Sequence, residues 1–253
     1  VVVVPDGTAD EAQSVSWRRY CFLQTHTGVM GAHRSSETTL LILRKIAYWE
    51  GMSDQVKGWT EQCLGCLRGR KRPTKQSAVP VVPSGLECWQ EVMVDFEGPN
   101  PPDRDGNKFV LTYFDCLSHG VILIPARCLE QGEVRRAFAR ALFQSRTVPL
   151  MVRSDRGQEF KSAIFEEFCA IMGMRHHKGN AMRPCEMGPT ERVHQECQKV
   201  LGFIVNDVAR AEASEWGEFL VVVEFVVSVT PGPHGWCPRD LSQRWSLASP
   251  LAR

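Results

Sequence analysis

Three short apolar or alternating segments follow one another in the middle of the chain, and turn residues separate them. The segments are EVMVDF (91–96), KFVLTYFD (108–115) and GVILIPA (120–126). Runs of this length, rich in Val, Ile, Phe and Tyr and bounded by Gly, Pro, Asn and Asp, are typical of β-strands. The pattern therefore predicts three consecutive strands.

Helical and strand-like patterns alternate in the residues that follow these segments. Apolar positions recur at helical spacing in several stretches, and short apolar runs lie between them. We predict, in order, a helix at 133–144, a strand in PLMVRSD (149–155), a helix at 159–172, a strand near 174–177, a helix from Pro189 or Thr190 to about Arg210, and further helix at 214–227. The order βββαβαβα predicts an α/β fold with a mixed five-stranded sheet flanked by helices.

The residues before these strands have helical patterns. Ser35–Ser36 can cap a helix through ETTLLILRKIAYW (37–49), and a second short helix is predicted in SDQVKGWTEQC (53–63). The apolar positions of the first helix share one face: Leu40, Leu43 and Ile46–Ala47. A segment that is basic first and rich in Pro and Ser later, LRGRKRPTKQSAVPVVPSG (67–85), has no periodicity and is the best candidate for a linker.

Composition excludes some classes of protein. The chain has 253 residues, of which 43% are apolar, which is enough for a real core, and its net charge of +1 indicates no particular partner. The longest apolar stretch, Phe219–Val229, is about half of a membrane span and contains Glu224, so we expect no membrane association. Because most of the ten cysteines are scattered singly, we expect a reduced, intracellular protein.

Two histidines and two cysteines have the spacing of a zinc site. His26 and His33 lie seven positions apart, and Cys63 and Cys66 are three apart in CLGC. Two imidazoles and two thiolates complete a tetrahedral zinc shell, and such a metal would stabilise helices that are too short to bury a core without it. The alternative is two unrelated histidines and a chance cysteine pair; we favour structural Zn²⁺.

Three acids stand at the ends of predicted elements. Asp95 ends the first strand, Asp155 ends the fourth, and Glu191 begins the long helix. Three carboxylates in one pocket repel one another, and divalent cations remove that repulsion. Oxygen ligands favour Mg²⁺ or Mn²⁺, and two such ions can activate an attacking oxygen and stabilise a leaving one at a phosphate. The alternative is three solvated acids at element ends.

Other acids compete for the same roles. Asp115 closes the second predicted strand, and Glu97 lies two residues past Asp95 on the same face. Glu186 could replace Glu191 as the third ligand, but Gly188 and Pro189 mark a helix start that would hold Glu191 on a regular element. We therefore assign the site to Asp95, Asp155 and Glu191.

The motifs together resemble one family. The His-His-Cys-Cys set, with YWEGM (48–52) between its pairs, resembles the amino-terminal zinc domain of integrases from retroviruses and gypsy-class LTR retrotransposons. The 35 residues between Asp155 and Glu191, with SDRGQEF (154–160) and GPTER (188–192), resemble the Asp, Asp, Glu catalytic core of the same family. The resemblance runs from about Tyr20 to about Trp245 and implies a ribonuclease-H-like core after a small all-α zinc-binding domain.

The resemblance also implies boundaries, activity and partners. We expect an amino-terminal extension (1–19), a zinc-binding domain (20–70), a linker (71–86), the catalytic core (87–212) and a carboxy-terminal helix and tail (213–253). The implied activity is 3′-end processing and strand transfer of element DNA into target DNA by a homo-oligomer. The implied setting is the nucleus, reached through a cytoplasmic particle, and the chain would be a piece of a longer Pol polyprotein.

Positively charged residues and one glutamine near this site are candidates for contact with double-stranded DNA. They fall in the basic linker and on one face of the helix that begins with Glu191: Arg68, Arg70, Lys71, Arg72, Arg192, Gln195 and Lys199. Linker solubility and a solvated helix face explain the same residues nearly as well. The loop GNAMRPCEMGPTER (179–192) departs from the family, whose members tend to have a His-Pro-Gln run there, and this puts target preference in doubt.

A second function from another class remains open. A decayed or domesticated relative would bind DNA through its zinc domain without catalysis. Loss of an acid from the triad would favour that interpretation, but all three acids are present in the sequence. A transposase or ribonuclease H would share the triad but would lack the His-His-Cys-Cys set.

Overall fold

The computed structural model describes most of the chain. The described residues are 1–10, 15–28, 31–68, 87–155, 157–179, 188–205, 213–232 and 236–242. Within this part of the chain, no helix combines the length and apolar character that crossing a membrane requires.

The first 68 residues form a small, mainly helical module, here called the zinc module. Its elements are β1 (Val2–Val3), β2 (Thr8–Asp10), β3 (Val15–Ser16), α1 (Trp17–His26), α2 (Ser36–Ile46), β4 (Ala47–Tyr48), α3 (Met52–Glu61) and α4 (Leu64–Arg68). Ser35 caps α2 by accepting a hydrogen bond from the amide of Thr38 at 3.1 Å, as the sequence predicted. The buried side chains of Phe22, Leu43, Trp49 and Val56 form its core.

The amino-terminal residues belong to this module. Strand β1 pairs in parallel with β4, and Val4 lies in the apolar cluster of the helices. The prediction that the helix at 37–49 continues through Tyr48 was therefore wrong, because its last residues extend to pair with β1. Ile46, predicted on the same face as Leu40 and Leu43, ends α2 and is 53% exposed.

A mixed five-stranded sheet forms the second part of the molecule, as predicted. Its strands are β5 (Glu91–Glu97), β6 (Phe109–Asp115), β7 (Val121–Ala126), β8 (Met151–Ser154) and β9 (Arg175–Lys178), in the spatial order β7-β6-β5-β8-β9. The first three strands are antiparallel neighbours, whereas β8 is parallel to both β5 and β9. The central position of β5 places its carboxyl end beside that of β8.

Helices cover both faces of this sheet. They are α5 (Gln131–Ser145), α6 (Ala163–Ile171), α7 (Gly188–Phe203) and α8 (Leu220–Ser228), with 3-10 turns at Gln158–Phe160 and Ala213–Phe219. One apolar cluster joins the sheet to α5 and α6, and a second joins it to α7 and α8. The helix predicted at 159–172 begins only at Ala163, because Ser162 caps it through the amide of Phe165.

Candidate metal centres and the helix between them

The four predicted zinc ligands converge in the zinc module. His26 ends α1, His33 follows in the next turn, and Cys63 and Cys66 flank the start of α4. One ligand atom from each lies within 4.8 Å of the others. The Sγ of Cys63 is 3.2 Å from Nδ1 of His33, and the Sγ of Cys66 is 3.3 Å from Nε2 of His26. A tetrahedral zinc shell requires ligand separations of about 3.5 Å, so the donor set and its dimensions fit Zn²⁺.

The surroundings of His26 hold its ring in place. The side chain is fully buried, and its Nδ1 lies 3.3 Å from the hydroxyl oxygen of Thr39. The ring of Phe22 stacks on it, with 4.8 Å between centroids. Burial, and then the charge of His33, lower the pKa of His26 to about 4, so the imidazole is neutral and can bind a metal. A hydrogen bond to the second nitrogen is the usual way to orient a metal-binding histidine.

His33 also connects the zinc module to α7. Its carbonyl accepts a hydrogen bond from Nζ of Lys199 at 2.9 Å, and its ring meets the edge of Phe203 with 4.4 Å between centroids. Next to it, Nη2 of Arg34 donates to the carbonyl of Val226 at 3.0 Å. The module is thereby tied to α7 and α8 of the sheet domain.

Two of the three predicted acids lie side by side. Val94 on β5 is in register with Ser154 on the parallel β8, so the residues that follow them, Asp95 and Asp155, are neighbours. Asp155 lies just past the end of β8, but β5 continues to Glu97 and Asp95 pairs with Thr112 on β6, so the prediction that Asp95 ends its strand was wrong. Burial, and then the charge of Asp155, raise the pKa of Asp95 to about 7. The charges of Glu159 and Glu97 act in the same direction. A buried carboxyl group whose ionisation is opposed by a neighbouring carboxylate is chemically suited to a divalent cation.

The third predicted acid lies on α7. The backbone of Glu191 is in the first turns of this helix, but its side chain lies outside the described part of the structure. The helix passes the acids, because Nδ1 of His194 is 3.7 Å from Oδ2 of Asp95. Among the side chains that the structure describes, no third carboxylate joins Asp95 and Asp155 in a cluster of ligand atoms. The assignment of Glu191 therefore stays a prediction.

The competing acids have other roles or lie outside the description. Asp115 is fully buried and accepts hydrogen bonds from the amides of Trp89 at 2.8 Å and Ser118 at 2.9 Å, so it holds a turn. Glu97 contacts the side chain of Gln198 on α7, and burial raises its pKa. Glu186 lies outside the described residues.

The candidate DNA contacts are mostly untested by the structure. Arg70, Lys71 and Arg72 lie outside the described residues, as do the side chains of Arg68 and Arg192. Gln195 is exposed on α7, whereas Lys199 is engaged with the carbonyl of His33. Of the DNA contacts predicted on α7, Lys199 therefore lies at the contact with the zinc module, whereas Gln195 is exposed.

Two residues near the acids were missed in the sequence. His194 stands one helical turn after Glu191, and this spacing is the signal that could have identified it. Glu159 approaches Asp95 from the loop after β8, which its position four residues after Asp155 could have indicated. The partner of His194 on β5 was not visible in any local pattern.

Comparisons with known proteins agree with both parts of the structure. Residues 14–72 match the family model for the integrase zinc binding domain. The chain is 22% identical over 218 residues to a retrovirus-related Pol polyprotein from transposon 412 of Drosophila melanogaster, covering 84% of the chain and 17% of the relative. It is 22% identical over 214 residues to gypsy retrotransposon integrase-like protein 1 of Bos taurus, covering 82% and 40%. The chain spans less than half the length of these relatives.

Solved structures share the fold. The HTLV-2 integrase catalytic core domain, in a complex with magnesium, matches with a TM-score of 0.51 and 18% identity over 62% of this chain and 99% of that chain. A chain of the simian T-cell lymphotropic virus intasome matches with a TM-score of 0.56 and 15% identity over 88% of this chain and 73% of that chain. The second likeness extends over both the zinc module and the sheet domain.

Proposed function

Because the chain joins an integrase zinc-binding module to the fold of a retroviral integrase catalytic core, we propose that it is a retrotransposon integrase. Its reaction would be metal-dependent processing of the 3′ ends of element DNA and their transfer into target DNA. The observation that carries the proposal is that Asp95 on β5 and Asp155 just after the adjacent β8 are neighbours, beside the helix that carries Glu191.

The residues of the chain would contribute position and charge. Asp95 lies in β5 and Asp155 directly follows β8, and the residues just before them, Val94 and Ser154, are paired in one sheet. With Glu191 they would hold Mg²⁺ or Mn²⁺, and two bound ions supply Lewis acidity at both oxygens of an in-line displacement. Rigid elements suit this task, because small displacements of reacting groups cost large factors in rate.

The zinc module would contribute stability and placement. Its four ligands link α1 to the start of α4, and bound Zn²⁺ would close this small domain around its few apolar side chains. The contacts of His33 and Arg34 with α7 and α8 then fix the module beside the acids. The arrangement supports a surface on which both parts touch one DNA.

The chain would act as a homo-oligomer on double-stranded DNA in the nucleus, after arrival in a cytoplasmic particle. An HTLV-2 relative is described in dimeric and trimeric forms, and another relative belongs to an intasome. Exposed apolar side chains on α5 and α8, including Phe143, Val221 and Phe225, could take part in self-association.

A branched oligonucleotide tests the activity without knowledge of the element's own ends. Resolution of a strand-transfer product uses the same in-line chemistry in reverse, and labelled fragments report it directly. We expect activity with Mg²⁺ or Mn²⁺ that Glu191→Gln and Asp155→Asn abolish, whereas Glu186→Gln retains it. DNA binding without any resolution by the unaltered chain would instead support the decayed, DNA-binding alternative.

A further inference from the structure

The carboxylate of Asp95 is approached from two sides. Its Oδ1 accepts a hydrogen bond from the amide of Phe96 at 2.9 Å. Its Oδ2 lies 3.7 Å from Nδ1 of His194, which projects from α7. The backbone therefore holds one oxygen, and an imidazole from another element faces the other.

The ring of His194 is held in a nearly closed environment. Its side chain is 13% exposed, and Nε2 is buried without a hydrogen-bond partner among the described residues. A neutral imidazole has one N–H. With the proton on Nδ1, the ring points a donor at Asp95 and buries only a bare acceptor. The opposite tautomer would bury an unpaired donor and turn a lone pair toward the carboxylate, which costs more.

The position of His194 along α7 places it close to Glu191. It lies three residues after Glu191, on the helix whose first turns carry that acid. A contact between His194 and Asp95 therefore joins α7 to β5 at the level of the proposed cation site.

We propose that His194 is a positioning residue, which donates a hydrogen bond from Nδ1 to Oδ2 of Asp95 and so orients this carboxylate for cation binding. The proposal requires Nδ1 to approach Oδ2 more closely than the 3.7 Å at which they lie, because a hydrogen bond of this kind is about 2.7–3.2 Å long. The inference rests on the proposed function only in taking Asp95 as a cation ligand. Partners that orient a ligand carboxylate are commonly worth about 10- to 100-fold in metal affinity or activity.

A purely space-filling role for His194 would give a different result on substitution. The neighbouring Val193 packs against the apolar side chains of Met93, Phe114 and Cys116, so an apolar residue of similar size should fit at position 194. If His194 only filled space, His194→Leu would preserve cation binding. If it orients Asp95, the leucine should fail and His194→Asn, whose amide can donate, should largely substitute.

Direct titration with Mn²⁺ separates these cases without DNA. The full chain is first loaded with zinc, free Mn²⁺ is followed by electron paramagnetic resonance, and Asp95→Asn serves as the blank. We expect His194→Leu to raise the Kd for Mn²⁺ about tenfold or more, and His194→Asn to stay within about threefold of the unaltered chain. The matched control is His177→Leu at an exposed histidine of β9, which should leave the Kd unchanged.

The outcomes of the Mn²⁺ titration can be distinguished from those of the branched-DNA assay. Wild-type Mn²⁺ affinity in His194→Leu would overturn the inference, and so would an equal loss in the leucine and asparagine variants. If circular dichroism shows that His194→Leu does not fold, His194→Ala replaces it with the same expected loss. A chain that binds Mn²⁺ in this manner but resolves no branched DNA would contradict the proposed function and leave the role of His194 intact.

Discussion

The ammonium group of Lys199 donates a 2.9 Å hydrogen bond to the carbonyl of His33, and this bond joins the zinc set to the helix of the third acid. Helix α7 thus reaches both candidate metal centres. His194 lies near Asp95 at the middle of the helix, and Phe203 at its carboxyl end meets the His33 ring. Substitutions at the zinc ligands should therefore also affect the sheet domain.

Removing the ammonium of Lys199 should loosen this junction. Lys199→Met keeps most of the aliphatic chain but removes the ammonium group that donates to the carbonyl of His33, and we expect a loss of about 1–2 kcal/mol in the free energy of unfolding. Urea denaturation of the zinc-loaded chain measures it. Lys57→Met, at an exposed lysine of α3, is the matched control. Equal stability of the two variants would argue against the junction.

The cysteines of the CLGC motif should determine zinc content. Cys63→Ser removes one of four ligands, so the purified chain should bind well below one Zn²⁺ and should lose helical signal in its first 68 residues. Cys128→Ser, at a half-buried cysteine outside the set, is the control and should retain full zinc content. Zinc is measured by atomic absorption after dialysis. Full retention in Cys63→Ser would contradict the assigned shell.

Gly65 should be required by the ring of His33. A Cβ at position 65 would come within 3.0 Å of three atoms of that ring, so Gly65→Ala should displace His33 and weaken zinc binding. Gly58 on α3 has no atom within 4 Å of the corresponding position. Gly58→Ala should therefore leave zinc binding intact and should stabilise α3 by about 1 kcal/mol. Competition with a chromophoric chelator compares the two affinities, and equal affinities would show that the ring of His33 tolerates the methyl group.

Glu224 should make stability depend on pH. This residue of the apolar α8 accepts hydrogen bonds from the amide of Leu123 at 2.6 Å and from Nε2 of Gln144 at 2.9 Å. Burial nevertheless raises the pKa of its carboxyl to about 7. Between the ordinary pKa near 4.5 and this value, the folded chain binds more protons than the unfolded chain, so its stability falls as pH rises.

Substitution of Glu224 isolates this effect. Across that window the stability of the unaltered chain should fall by about 2–3 kcal/mol relative to Glu224→Gln, which cannot ionise. Urea denaturation at several pH values between 5 and 8, with zinc present, gives the difference. Glu61→Gln, at an exposed glutamate of α3, should show no such change. Parallel pH profiles for Glu224→Gln and the unaltered chain would refute the prediction.

Much of the sheet domain could be predicted because its signals are local. Strands β5, β6 and β7 are marked by apolar runs between turn residues, and similar apolar runs place Asp95 within β5 and Asp155 directly after β8. The zinc ligands could be proposed because their spacing and chemistry are specific, and in the structure their ligand atoms lie within 4.8 Å of one another. The strands are determined by short sequence segments, and the zinc ligands by the coordination that one ion requires.

The features that were missed depend on distant partners. Strand β1 is two residues long and becomes a strand only through Ala47–Tyr48, so no local pattern could show it or the early end of α2. In the sequence, His194 is one polar residue of a predicted helix. It becomes a neighbour of Asp95 only because α7 packs against β5. The start of α6 was misplaced because a 3-10 turn precedes the cap at Ser162.

In the proposed site, Asp95, Asp155 and Glu191 bind the cations jointly. Anomalous scattering at the manganese edge, from a crystal of the zinc-loaded chain soaked in Mn²⁺, would locate these ions. We expect anomalous density between Asp95 on β5, Asp155 after β8 and the first turns of α7, with oxygens of all three carboxylates within about 2.2 Å of a manganese ion. Manganese bound elsewhere, or a Glu191 carboxylate directed away from the other two, would contradict it.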